Sequence, residues 1–212
     1  MKIKVFIVDD HALVRRGLRQ ILQEGEDIEV VGEAGDYGGL VSGMRTIDFD
    51  VLVLDISMPG KNGIDALKQV LKERPRLKAL IVSMYPEDQF ALRALKAGAK
   101  GYLTKTSGTE KLVEAVRQIA AGRKFVTPEV AMALMENVGG DEAEGPRHAQ
   151  LSDREFQTLR LIASGRKLSE IASDMALSAK TVSVYRARLL EKMRMKNNAE
   201  LTRYALENRL LE

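Results

Sequence analysis

Over the first 125 residues, short apolar runs alternate with longer amphipathic stretches. The runs Ile3–Val8, Ile28–Gly32, Val51–Asp55, Ala79–Ser83 and Gly101–Thr104 are rich in β-branched residues and predict strands. The stretches Ala12–Glu24, Gly38–Arg45, Gly63–Glu73, Gln89–Ala97 and Thr109–Ala121 predict helices. Residues 51–54 and 79–82 are apolar at every position, as strands covered on both faces are. Five strands alternating with five helices predict an α/β fold over 1–125. The expected form is a doubly wound, flavodoxin-like parallel sheet of five βα units.

The pattern then changes. Residues 128–136 predict one more short helix. Val138 to Pro146 offers almost nothing to bury and three glycines, so 137–150 reads as a flexible linker within a connecting region of 126–150. From 151 to 212 the pattern is wholly helical. Ser152 and Glu155 have the spacing of a capping box, opening a helix through Ala163 that Gly165 stops. Ser169–Met175 predicts a second helix. Ser178 caps a third, to Lys192, and Asn198 caps a fourth, to about Leu210. A short helix, a tight turn and a longer helix are the parts of a helix-turn-helix, set here in a four-helix domain.

Composition narrows the function classes. A chain of 212 residues allows one or two domains. The absence of cysteine excludes disulfides and thiolate metal sites. His11 and His148 are the two histidines, too few for a histidine-rich metal site. No apolar run approaches the roughly 18 residues of a membrane span. The start, Met1-Lys2-Ile3-Lys4, runs into a short segment ending in Asp9-Asp10, unlike a signal peptide. The expected compartment is the cytoplasm. The net charge of +3 is uneven: residues 149–212 carry 12 Lys and Arg against 8 Asp and Glu, and residues 1–148 carry 21 against 22. A basic excess at one end points to a polyanionic partner there.

Ligands of parallel sheets bind beyond the carboxyl ends of the strands. Asp9-Asp10, Asp55, Ser83 and Lys105 all fall there, on strands that the topology sets side by side. Packed carboxylates repel, and a hard divalent cation such as Mg²⁺ relieves the repulsion with oxygen ligands. A carboxylate is also a nucleophile that forms an aspartyl-phosphate, with metal and lysine neutralising the transferring group. Singly, an aspartate at a strand end is a helix cap, and Lys105 or Ser83 is an ordinary loop residue. A hydrolase using Asp55 or Asp9 would want Asp-x-Asp at the first strand end, whereas Asp9 and Asp10 are adjacent.

The third helix of the second domain carries the basic excess. Residues 179–196 hold six Lys and Arg and one acid. Val182, Leu189 and Met193 form an inward stripe, while Ser183, Arg186, Ala187 and either Lys180 or Thr181 lie toward the outside. That division suits a recognition helix in the DNA major groove, with Arg186 and Arg188 in reach of phosphates. From charge alone, a solvated helix or a surface for an acidic protein stays open.

Val8-Asp9-Asp10-His11, the run Leu54-Asp55-Ile56-Ser57-Met58-Pro59-Gly60, Val82-Ser83-Met84, and the run from Gly98 to Lys105 resemble the motifs of the receiver domain of bacterial two-component response regulators. The resemblance implies that Asp55 takes a phosphoryl group from a sensor histidine kinase. It implies Mg²⁺ at Asp9, Asp10, Asp55 and the backbone carbonyl of Ser57, with Asp10 the more direct ligand of the acidic pair. Lys105 matches the phosphate-pairing lysine, Ser83 the switch hydroxyl and Tyr102 the aromatic that turns inward on activation. Thr106 departs from the pattern, which often has proline after the lysine. Ser57 and Tyr85 flank the phosphate or are plain loop residues.

Leu151 to Glu155, Leu161 to Gly165, Glu170-Ile171-Ala172 and Leu177 to Val182 resemble the LuxR-type helix-turn-helix. The whole chain thus resembles the NarL/FixJ class. The resemblance implies that Lys180, Ser183, Val184 and Ala187 face bases, with Thr181, Tyr185, Arg186 and Arg188 nearer the DNA backbone. It further implies a homodimer when active, and no enzyme activity beyond the receiver's own phosphorylation and dephosphorylation. Leu201, Ala205 and Leu206 of the last helix are either a subunit contact or core.

Overall fold

The strands of the first unit are short and mostly apolar, and their crossover helices have an apolar face, so neither layer is stable without the other. The structure, a computed structural model, describes residues 2–58, 61–85, 87–128, 130–132, 146–208 and 210–211. The chain separates into two compact units, Met1–Asn137 and Val138–Glu212.

In the first unit the order is β1 (Ile3–Val8), α1 (Ala12–Gln23), β2 (Ile28–Ala34), α2 (Tyr37–Thr46), β3 (Val51–Leu54), α3 (Gly63–Glu73), β4 (Lys78–Ser83), α4 (Glu87–Lys96), β5 (Gly101–Thr104) and α5 (Thr109–Ala120). All strands pair in parallel, in the order β2-β1-β3-β4-β5. This is the expected doubly wound sheet. One layer of the core joins Val5, Ile7, Val51, Val53, Leu80 and Val82 to Leu18 and Leu22 of α1 and Leu112, Val116 and Ile119 of α5. The alternate strand residues Phe6, Leu52, Leu54 and Ile81 are buried as well, as are Leu40 and Met44 of α2 and Ile64, Leu67 and Val70 of α3. β2 runs two residues further than the apolar pattern suggests, because Glu33 and Ala34 still pair with Ile7 and Val8.

Residues 128 and 130–132 are helical. The rest of the helix predicted over 128–136, and most of the predicted linker, lie outside the described residues. Residues 147–150 correct the linker reading. They form a 3₁₀ helix, Arg147–Gln150, tied into the second unit. Arg147 Nη1 donates to the Met193 carbonyl at 3.2 Å, and His148 Nδ1 lies 3.0 Å from the Tyr204 hydroxyl.

The second unit continues with α6 (Asp153–Ala163), α7 (Leu168–Asp174), α8 (Ala179–Met193) and α9 (Asn198–Glu207). The capping box is present: Ser152 Oγ accepts from Glu155 N–H and Glu155 Oε2 from Ser152 N–H. Gly165 ends α6 with φ +79°, in the left-handed region that suits glycine. Ser178 caps α8 through the Thr181 N–H. The cap of α9 is Asn197, one residue before the predicted Asn198. Its side-chain oxygen accepts from Glu200 N–H at 3.0 Å, and Glu200 reaches back to Lys196 N–H at 2.9 Å. Phe156, Leu159, Ile171, Val182, Leu189, Met193, Leu201 and Ala205 form the core.

Candidate functional site

Strand register assembles the first site. Val8 pairs with Leu54, so Asp9 and Asp55 leave the sheet side by side. Ser83 pairs with Thr104, so Lys105 emerges next to them. Lys105 Nζ lies 2.6 Å from Asp9 Oδ2 and 2.8 Å from Asp55 Oδ2, and all three side chains are buried. Asp9 is held in place by the His11 N–H on its Oδ1 at 2.8 Å, while Arg15 donates to its carbonyl. Asp10 is partly exposed and pairs with His11 Nδ1 at 2.7 Å.

Burial pushes the Asp55 carboxyl above the ordinary aspartate value, against the opposing pull of Lys105. Burial lowers Lys105, but Asp55 and Asp9 outweigh it and hold the ammonium above the ordinary lysine value. One atom each from Asp9, Asp10, His11 and Asp55 lies within 4.8 Å of the others. Three carboxylates with one buried lysine leave surplus negative charge on hard oxygen donors. That donor set fits a divalent cation of the Mg²⁺ or Ca²⁺ kind. Ser57, half-buried, is two residues beyond Asp55.

Ser83 is fully buried, and the Tyr85 N–H lies 3.4 Å from its Oγ. Tyr102 is buried, its hydroxyl donating to the Tyr85 carbonyl at 2.7 Å. The loop after Lys105 contains no cis peptide. Thr104 Oγ1 lies 3.0 Å from the hydroxyls of both Thr106 and Ser107 there.

The second candidate site is the outer side of α8. Lys180, Ser183, Val184 and Ala187 recur at helical spacing and are all exposed, as is Arg188. Thr181, Tyr185 and Arg186 flank that stripe, half-buried. Arg186 is engaged, its Nε 2.7 Å from Asn198 Oδ1. Ser183 Oγ donates back to the Ala179 carbonyl, so outward it presents an acceptor. A positive, small-featured helix face of this kind fits a groove lined by phosphates.

A family model for the response regulator receiver domain matches residues 5–117, and one for bacterial regulatory proteins of the luxR family matches residues 149–205. The chain belongs to the response regulator family. It is 35% identical to the response regulator GacA of Pseudomonas aeruginosa over 210 residues, covering 99% of this chain and 98% of that one. It is 34% identical to UvrY of Escherichia coli K12, covering 98% and 95%. A solved structure of RcsB from Salmonella enterica serovar Typhimurium, bound to promoter rprA in the presence of the phosphomimetic BeF₃⁻, is similar with a TM-score of 0.64 and 29% identity, over 96% of this chain and 98% of that one. This response regulator therefore joins a receiver domain to a LuxR-type DNA-binding domain.

Three groups of this response regulator escaped the sequence reading. Asn62 is fully buried and accepts from the Ile64 N–H, while the Gly63 N–H donates to the Ile56 carbonyl at 2.9 Å. Together they fasten the Asp55 loop to α3, and the Asn-Gly pair was the signal. His11 joins the acidic cluster, signalled only by adjacency. Glu155 does more than cap: Lys192 of α8 donates to its Oε2 at 2.7 Å. Among the described residues, no helix is long and apolar enough to cross a membrane.

Proposed function

We propose that this response regulator accepts a phosphoryl group on Asp55 and answers by binding DNA through α8. The observation that carries the reading is the buried Asp55–Lys105–Asp9 contact at the carboxyl ends of adjacent strands. The donor is the phosphohistidine of a sensor kinase. An Asp55 oxygen attacks phosphorus, the P–N bond breaks, and its electron pair stays on the imidazole, which takes a proton. Asp9, Asp10, Asp55 and the Ser57 carbonyl would hold Mg²⁺, which supplies charge neutralisation at the phosphoryl oxygens when bound. Lys105 gives up its pairing with the Asp55 carboxylate to pair with the new phosphoryl group. Ser83 supplies a hydroxyl to the product, and Tyr102 reports the change through its place against Tyr85. Chemistry beyond this self-modification is not part of the function.

On DNA, Lys180, Ser183, Val184 and Ala187 face base edges; Thr181, Tyr185, Arg186 and Arg188 lie against the backbone. The active species is a homodimer, a reading supported by the solved RcsB dimers on DNA. We assign the receiver to 1–125, the connector to 126–146 and the DNA-binding domain to the remainder, all in the cytoplasm where its DNA resides. The test is phosphoryl labelling from a small phosphodonor, paired with DNA affinity. Labelling that needs Asp55 and Mg²⁺, with tighter DNA binding after it, supports the reading. Equal labelling of Asp55→Ala, or steady turnover of phosphomonoesters, overturns it.

A further inference from the structure

The segment that leaves the receiver is tied to the loop beside Asp55. Tyr85 sits in that loop, two residues after Ser83, holding the Tyr102 hydroxyl on its carbonyl. Its ring stacks on Phe90 of α4, with centroids 4.4 Å apart and planes 15° apart. Two residues further on, Glu87 opens α4, and its Oε2 accepts a hydrogen bond from Thr127 Oγ1 at 2.8 Å.

Thr127 lies beyond α5 and starts a helical turn. Its carbonyl accepts from Ala131 N–H at 2.9 Å, and its Oγ1 accepts from Val130 N–H at 3.4 Å. The same stretch is seated on the receiver. Phe125 N–H donates to the Lys100 carbonyl at 2.8 Å, Phe125 bridges Gly101 in parallel, and Val130 is buried. The route from Ser83 to Thr127 thus crosses one short loop, one helix start and one hydrogen bond.

The nature of that bond suits a switch. A hydroxyl donating to a carboxylate makes a charge-assisted bond, stronger than a neutral one. Yet both partners are only half-buried, so water can replace either when the bond opens. A contact of that kind can be made in one state and absent in another without a large penalty in either.

We propose that the Thr127–Glu87 hydrogen bond couples the state of the loop after Ser83, next to Asp55, to the helical turn that Thr127 starts, and so to the DNA-binding domain that follows in sequence. The proposal rests on Asp55 being the phospho-acceptor. Thr127 is a positioning residue in this scheme: it touches neither phosphate nor DNA.

The test uses the full chain and beryllium fluoride with Mg²⁺ as the phosphoryl mimic, reading DNA affinity with and without it. Thr127→Val and Glu87→Ala should take up beryllium fluoride as the wild type does. Their affinity ratio between the two states should fall at least about fivefold, the scale of one such bond. Thr127→Ser retains the hydroxyl donor to the carboxylate, so it should keep the ratio, and Glu87→Gln, which leaves a neutral acceptor, should fall between the wild type and Glu87→Ala. An undiminished ratio in Thr127→Val overturns the coupling while leaving Asp55 intact as the acceptor. A wild-type chain whose affinity ignores beryllium fluoride overturns both.

Discussion

Lys192 Nζ lies 2.7 Å from Glu155 Oε2, so an ion pair fastens the basic helix α8 to the N-terminus of α6. The same carboxylate oxygen closes the capping box on Ser152. Burial raises the Glu155 carboxyl, but the bonds from Lys192 and Ser152 outweigh it and hold it below the ordinary glutamate value. The unfolded chain then binds the proton more tightly than the folded one. The stabilisation is complete above the ordinary glutamate value and is lost as pH falls through the lowered one. Glu155→Gln should cost about 1–2 kcal/mol near neutral pH, and the difference should shrink as pH falls below the ordinary glutamate value and vanish only below the lowered one. Hydrogen exchange of α6 and α8 amides across that range reads it; a gap that widens in acid would sink the account.

Gly63 has no room for a side chain. A Cβ there would come within 1.9 Å of the Asp55 carbonyl oxygen, a backbone atom that cannot swing aside. Gly63→Ala should destabilise the receiver by about 2–3 kcal/mol and depress phosphoryl uptake by displacing Asp55. Unfolding curves and labelling of the same sample check both effects. Wild-type behaviour in either would show that the loop adapts.

Divalent cations should raise the melting temperature of the chain, because three carboxylates cluster where one buried lysine pairs with only two of them. Asp10 is the partly exposed member, so Asp10→Asn should fold normally. Its Mg²⁺-induced rise should shrink to less than about half of the wild-type rise. Calorimetry with Mg²⁺ and with the chelated sample decides this.

In α9, Leu201 and Ala205 are fully buried while Leu206 is 60% exposed. Leu201 and Ala205 are therefore core, and Leu206 alone of the three stays exposed for a subunit contact. Leu201→Ala should cost about 3 kcal/mol of domain stability. Leu206→Lys should leave stability within about 0.5 kcal/mol but weaken binding to paired half-sites more than to a single one. Equal loss on both DNAs would remove Leu206 from a subunit contact.

Arg188 is exposed and Arg186 is already bonded to Asn198. Replacing Arg188 by Ala should reduce the slope of log affinity against log salt by about 1, uniformly across DNA sequences. Arg186→Ala should change it less, since Arg186 must first leave Asn198. A larger change for Arg186 would contradict the geometry.

The sheet was legible because strands such as 51–54 and 79–82 are apolar throughout, and crossover handedness leaves few ways to order them. Asp9, Asp55 and Lys105 were legible as strand-end residues for the same reason. What resisted reading depends on distant partners. His148 and Arg147 follow a glycine-rich, acidic run that looks like linker, yet they are held by Tyr204 and Met193, 56 and 46 residues away. Asn197 and Asn198 are equally good caps by type. Only Glu200 closing back on Lys196 selects the first, freeing the second for Arg186. Lys180, Ser183 and Ala187 of the outward stripe of α8 followed from periodicity; Val184 came from the family resemblance, and the half-burial of Arg186 through its bond to Asn198 could not be read.

The parallel bridge between Gly101 and Phe125 has one more consequence. An open five-stranded sheet has two edges, and an edge is a template for joining a second sheet. On the β5 side, Phe125 occupies part of that template. The β2 side carries the exposed acids Glu29 and Glu33, and its ladder shifts register between Val5 and Phe6. One border is capped by the chain itself and the other is guarded by charge and a bulge. Both borders thereby offer a second sheet less free backbone to pair with than a bare edge would.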